Sequence, residues 1–173
     1  MADGSPADDV YLDTSAVVAA MFGGIPHSQA SADFFAGLEA AGSRLVFSQI
    51  LRLELSQVLA RLPHDALFPE ALRRAFRLDR WDTDAQVRAR WMVHGVQRFE
   101  ALIARFATVT EVEFSIPIWR ASIDIMAQTN LRSHDAIHVA TARAAAVRDF
   151  ATVDAHFRRV SDLNVRLIRD PSP

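Results

Sequence analysis

The sequence predicts an α/β fold of three layers, with helices on both faces of a central, mostly parallel sheet. Two observations carry that expectation. Five short apolar runs alternate with longer stretches whose apolar residues recur at helical spacing. The chain has 173 residues, 50% hydrophobic and 23% charged, which suits one domain with one sizeable core.

The elements follow in order. Residues 1–8 are polar and acidic and read as a loose tail, leaving 9–170 as a single domain. "DVYLDTS" carries an apolar run that ends at Asp13, a buried strand. "AVVAAMF" is a short helix, stopped by Gly23, Gly24 and Pro26. "HSQASADFFAGLEAAGS" is a helix closed by Gly42. "RLVFS" is a second strand, and Ser48 caps the helix "QILRLELSQVLARL", which Pro63 ends. Residues 63–105 form a longer, arginine-rich helical segment with breaks near Pro69 and around Asp79 to Asp82. Thr83 and Gln86 fit a capping box for its long helix. "ATVTEVEF" is a third strand, and Ser115 with Pro117 opens another helix. "SHDAIHVATARAAAV" is a helix, "FATVD" a fourth strand and "NVRLIRD" a fifth.

Composition removes several chemistries. There is no cysteine, hence no disulfide, thiolate zinc site or cysteine nucleophile. There is no lysine either, which removes mechanisms that need one. The net charge of −2 gives the whole molecule no field that draws in nucleic acid, though a local basic groove remains open. The opening residues lack the basic and apolar regions of a signal peptide, and no apolar run is long enough to span a membrane. The expectation is a soluble, cytoplasmic protein.

Four carboxylates stand where the pattern calls for core. Glu54 occupies the missing position of the stripe Leu51, Leu55, Val58, Leu59, Leu62. Asp135 projects with Val139, Ala142 and Ala146. Asp13 and Asp154 each end an apolar strand, and sites in open α/β sheets form beyond the carboxyl ends of strands. Converging carboxylates cannot all stay ionised unaided. A hard divalent cation resolves this, and oxygen-only ligation selects magnesium or manganese. Such a site suits phosphodiester hydrolysis. Each acid also has a bland reading. Asp13 can be a helix N-cap, Glu54 a partner of Arg52 or Arg61, Asp135 a dipole-favoured first-turn residue, and Asp154 a turn starter.

The run His134-Asp135-Ala136-Ile137-His138 is one substitution from the zinc-protease pattern His-Glu-x-x-His. Asp is a methylene shorter than Glu, however, and no third ligand follows. At about 100° per residue His134 and His138 fall on a polar stripe with Thr141 and Arg148, so the helix is expected to turn them outward. Arg73, Arg77 and Arg80 make a basic stripe, as do Arg90, His94 and Arg98; each reads as a solvated face or a phosphate-tracking surface. Trp81, Trp91 and Trp119 read as core or interface anchors.

"YLDTSAVVA", Glu54 in "LRLELSQVLAR", "HDAIHVATA" and "FATVDAHF" together resemble the successive motifs of PIN-domain ribonucleases. Size and order are most similar to VapC-type toxins of type II toxin–antitoxin systems. The resemblance runs from about residue 10 to 169, with a less familiar middle. It implies sheet order 3-2-1-4-5 and Mg²⁺- or Mn²⁺-dependent cleavage of RNA. It implies a VapB-like antitoxin as inhibitor and a homodimer. It assigns catalysis and metal binding to Asp13, Glu54, Asp135 and Asp154, with Thr14, Ser15 and Thr152 in support. Apolar surfaces near "ILRLELSQVLARLP" and on the 64–105 helices are expected in dimerisation or antitoxin docking. A non-catalytic PIN module that binds RNA or protein stays open as the alternative. A phosphate-receiving signalling domain expects a lysine, and a haloacid-dehalogenase phosphatase expects Asp-x-Asp where this chain has Asp-Thr-Ser. No serine-hydrolase arrangement surrounds Ser15 or Ser133.

Overall fold

The computed structural model describes residues 8–170. The expected tail lies outside them except for Asp8, whose carboxylate pairs with Arg166 at 3.1 Å. Five parallel strands form one sheet in the order β3-β2-β1-β4-β5. They are β1 (Asp9–Leu12), β2 (Arg44–Ser48), β3 (Val109–Val112), β4 (Asp149–Thr152) and β5 (Asn164–Leu167). Seven α-helices connect them: α1 (Thr14–Met21), α2 (Ser28–Ala40), α3 (Gln49–Arg61), α4 (Glu70–Phe76), α5 (Ala85–Ile103), α6 (Ile116–Thr129) and α7 (Ser133–Ala144). Among the described residues no helix is long and apolar enough to cross a membrane.

The two faces of the sheet follow from the period-2 geometry of strands. Val10, Leu12, Leu45, Phe47 and Ala151 point to one side, where residues of α1, α2, α3 and α5 complete a core. Tyr11, Val46 and Phe150 point to the other, against α6 and α7. The inner strands are apolar on both faces, as expected of a parallel sheet covered by helices. This parity also aims Tyr11 at α7.

The long segment expected over 63–105 is α4 and α5. Its start differs by one residue from the capping box read in the sequence. Asp84, not Thr83, is the N-cap, and its carboxylate accepts from the backbone N–H of Gln86 and Val87. Aspartate is as strong a cap as threonine, and the helix takes the residue that reaches two donors. Within α5, Trp91 is fully buried and donates its indole N–H to the Leu59 carbonyl at 2.8 Å. Gly95 is buried too, and a Cβ there would clash with the Leu59 methyls. The glycine therefore sets how closely α5 lies against α3.

Part of each basic stripe is engaged, while Arg77 and Arg90 stand exposed. Arg73 donates to the carbonyl oxygens of Phe68, Pro63 and Asp65. Arg80 pairs with Asp84 at 3.2 Å. His94 packs on Phe76, with ring centroids 4.5 Å apart.

Candidate active site

Beyond the carboxyl ends of the central strands lies a cavity of about 430 Å³. Asp13, Glu54, Asp135 and Asp154 all line it. They come from four separate elements, so only the folded topology brings them together.

Asp13 directly follows β1 and caps α1, accepting from the Ser15 backbone N–H at 3.4 Å. The same carboxylate oxygen accepts from the hydroxyls of Ser15 and Thr152, the latter at 2.8 Å. The N-cap role is thus real, and it leaves the other oxygen free of those bonds. Thr14 donates its hydroxyl to Glu54. Ser15 in turn accepts from the Val153 N–H at 3.2 Å, and Thr152 from the Asp154 N–H at 2.9 Å. The three expected hydroxyls therefore join β1, β4 and α3 around the cavity.

Glu54 is mostly buried on α3, at the position the apolar stripe left for it. Arg52 does not neutralise it, because that guanidinium pairs with Glu100 at 2.7 Å and Glu111 at 3.0 Å. Its partners are histidines. His138 Nε2 lies 2.7 Å from Glu54 Oε2, and His134 Nδ1 lies 3.4 Å from Glu54 Oε1. Burial alone would push the Glu54 carboxyl up; the His138 hydrogen bond and charge, with the Thr14 hydroxyl, outweigh it and hold the carboxyl below its ordinary range.

The outward placement expected of the two histidines is wrong for His138, which is fully buried. Its Nδ1 meets the Tyr11 hydroxyl at 2.9 Å and its Nε2 meets Glu54. Thr141, placed on the same polar stripe, is also fully buried. The reason is that α7 is covered nearly all round, with every residue from Ala136 to Ala142 buried. A polar stripe on such a helix marks internal hydrogen bonds, not solvent. The i, i+3 spacing of Asp135 and His138 was the available signal, since such residues share a helix face. Burial opposes the His138 charge, but Glu54, Asp13 and Asp135 hold its pKa above the ordinary imidazole value.

Asp135 sits in the first turn of α7, half-buried. Burial raises its pKa, and the charges of Asp13, Asp154 and Glu54 raise it further. Asp154 follows β4 and caps a short 3-10 turn, accepting from His156 N–H at 2.8 Å and facing His156 Nδ1 at 2.7 Å.

Two arginines also line the cavity: Arg132, which the sequence did not point to, and Arg61, weighed there only as an ion-pair partner of Glu54. Both are exposed. They put positive charge beside the acids.

The donor set suits a hard cation. One Asp13 oxygen is not engaged by the hydroxyls, and the raised pKa of Asp135 marks negative charge in want of a counter-ion. Among the described residues, Asp13, Glu54 and His138 have ligand atoms within 4.8 Å of one another. Both ring nitrogens of His138 already have partners, so this imidazole is built to hold Glu54 in place.

The PIN domain family model matches residues 10–163. The chain belongs to the PIN domain family. Proteins with a PIN domain are generally nucleases, and the cavity of this PIN domain lies where its strand ends converge. A chain from the solved structure of a toxin-antitoxin complex from Klebsiella pneumoniae shares the fold, with a TM-score of 0.53 at 16% identity. The likeness covers 89% of this chain and 94% of that one. No curated protein sequence matches the chain.

Proposed function

We propose that this PIN domain is a metal-dependent endoribonuclease that hydrolyses RNA phosphodiester bonds. We further propose that it acts as a VapC-like toxin restrained by a VapB-like antitoxin. The observation that carries the reading is the convergence of Asp13, Glu54, Asp135 and Asp154 on one cavity. Asp13, Glu54, Asp135 and Asp154 would hold Mg²⁺ or Mn²⁺, and the bound ion would supply an activated water and a counter-charge for phosphate oxygens.

The chain's own groups do the rest. Ser15 and Thr152 fix the Asp13 carboxylate, while Thr14 and His138 fix that of Glu54. Pre-set ligands lower the reorganisation needed when the ion and substrate arrive. Arg61 and Arg132 would hold the phosphates on either side of the scissile bond, as charge-assisted contacts that track a backbone without reading bases. His134, exposed and 3.4 Å from Glu54, stands at the same rim.

The antitoxin part of the reading is supported by the structural neighbour, which comes from a toxin–antitoxin complex. Apolar side chains left exposed on α3 and α5, Leu53, Val93 and Val96, offer ground for such a partner.

The test is RNA cleavage by the purified, antitoxin-free protein in Mg²⁺ or Mn²⁺, with and without EDTA, beside Asp13→Asn. Cleavage lost with EDTA and with Asp13→Asn is the expected result. Metal binding without any cleavage would favour a non-catalytic module instead.

A further inference from the structure

We propose that the apolar half of the acidic cavity is a nucleobase subsite, which takes one unstacked base of the RNA substrate and reads its edge through Gln57. The inference rests on the ribonuclease reading of the same cavity and deepens it. A metal ion and a phosphate call only for polar walls, yet much of this lining is apolar. Val18, Ala19, Ile25, Pro26, Val58 and Val153 stand in it beside the four acids. The volume of about 430 Å³ falls within the roughly 300–1,000 Å³ of pockets that enclose small organic ligands. An apolar wall next to a phosphate site suits the flat face of a base splayed out of a single strand.

Helical spacing sets the two halves side by side. On α3, Glu54, Gln57, Val58 and Arg61 recur at intervals that share one face, and all four line the cavity. The row runs from acid through amide and methyls to guanidinium, about 10 Å along the axis. On α1, Val18 and Ala19 follow Thr14 and Ser15 by one turn and line the cavity with them. With the scissile phosphate at the acids and the next phosphate at Arg61, the base of the nucleotide between them lies against Gln57 and Val58. The wall formed by Ile25 and Pro26 is already fixed, in the loop between α1 and α2. Asp170 ties that loop down, accepting from the His27 N–H at 2.8 Å and the Ala30 N–H at 3.2 Å. The Gly24 N–H donates to Ser28 Oγ at 3.2 Å within it. A wall held in this way needs little ordering when a base arrives.

Gln57 is the group that distinguishes one base from another. Its side chain is exposed and makes no hydrogen bond to another described residue. A primary amide presents a donor beside an acceptor, the complement of N6 and N7 of adenine. Arg61, one turn further along α3, holds a phosphate whatever the base.

The test is equilibrium binding of short, uncleavable RNAs to the full chain in Ca²⁺, followed by fluorescence anisotropy. A single abasic residue is moved along the strand, and each of the four bases is then placed at the sensitive position. One position is expected where loss of the base weakens binding about ten-fold, with adenine bound most tightly there. Gln57→Ala is expected to level the four bases at that position while keeping the gap between a base and none. Gln57 is exposed and alanine favours a helix, so this variant keeps its fold. Binding indifferent to the abasic residue at every position overturns the proposal. So does a ranking of bases that Gln57→Ala leaves unchanged. In both cases RNA that still binds, and is cleaved in Mg²⁺ or Mn²⁺, leaves the ribonuclease reading standing. A protein that binds none of the RNAs removes both.

Discussion

The Glu54 carboxylate and the His138 imidazole meet at 2.7 Å, although they belong to opposite layers of the fold. Glu54 rides on α3, whose apolar residues pack on one face of the sheet. His138 rides on α7, which packs on the other. Their bond closes over the end of β1, where Thr14 touches both side chains. Tyr11 from within β1 holds the far side of the imidazole. Loss of this link frees Glu54 to rotate.

His138→Ala is therefore expected to lower metal affinity and cleavage by about 10- to 100-fold, the usual effect of removing a group that orients a ligand. His138→Gln, whose amide can reach Glu54, is expected to recover part of the loss. Titrations of Mn²⁺ against both variants check this. Equal loss in the two would point to general damage to the core.

Asp135→Asn is expected to separate stability from binding. Its raised pKa means that ionisation is harder in the fold than in the unfolded chain. Its charge therefore works against the native state of the metal-free protein. That penalty grows as pH rises from the ordinary carboxylate value through the raised one, and it vanishes below. At neutral pH Asp135→Asn should raise the metal-free melting temperature, by about 2–4 °C for each kcal/mol relieved. It should also reduce the upward shift that Mg²⁺ gives the wild type. Thermal melts with and without the ion check both signs.

Arg61→Ala and Arg132→Ala are expected to weaken RNA binding with little dependence on sequence. If each arginine holds one phosphate of a single strand, each loss reduces the slope of log affinity against log salt by about 0.7. Binding isotherms at several salt concentrations, with an uncleavable RNA, give that slope directly.

Gly95→Ala tests the long helical segment. Alanine alone favours a helix by about 1 kcal/mol over glycine. Here its Cβ would press on the buried Leu59, and overpacking of this kind costs about 1–3 kcal/mol. Net destabilisation in denaturant melts is expected, with weaker metal binding if α5 helps to place Glu54 through α3.

Most of this architecture was legible in the chain. The strands announced themselves as short apolar runs, and their order came from the resemblance and is the order found. The four acids stood out because three of them interrupt or end apolar patterns and one sits in an alanine-dense helix. What escaped the sequence was direction on a helix covered nearly all round. On α7 the polar stripe of His138 and Thr141 lies inside, because Tyr11 and Glu54 give His138 partners that only tertiary packing reveals, while Thr141 donates to the Ile137 carbonyl of its own helix. Arg132 escaped, and Arg61 was read only as an ion-pair partner of Glu54, for a related reason. Nothing local separates them from the other arginines, and only the closing of α3 and α7 around one cavity does.

The central proposal is that four carboxylates make one metal site. The most direct measurement is Mn²⁺ binding by electron paramagnetic resonance in the wild type and in Asp13→Asn, Glu54→Gln, Asp135→Asn and Asp154→Asn. The expected result is one site that every substitution weakens, and most strongly Asp13→Asn. Undiminished Mn²⁺ binding in both Asp135→Asn and Asp154→Asn would contradict it, leaving Asp13, Glu54 and His138 as the ligands.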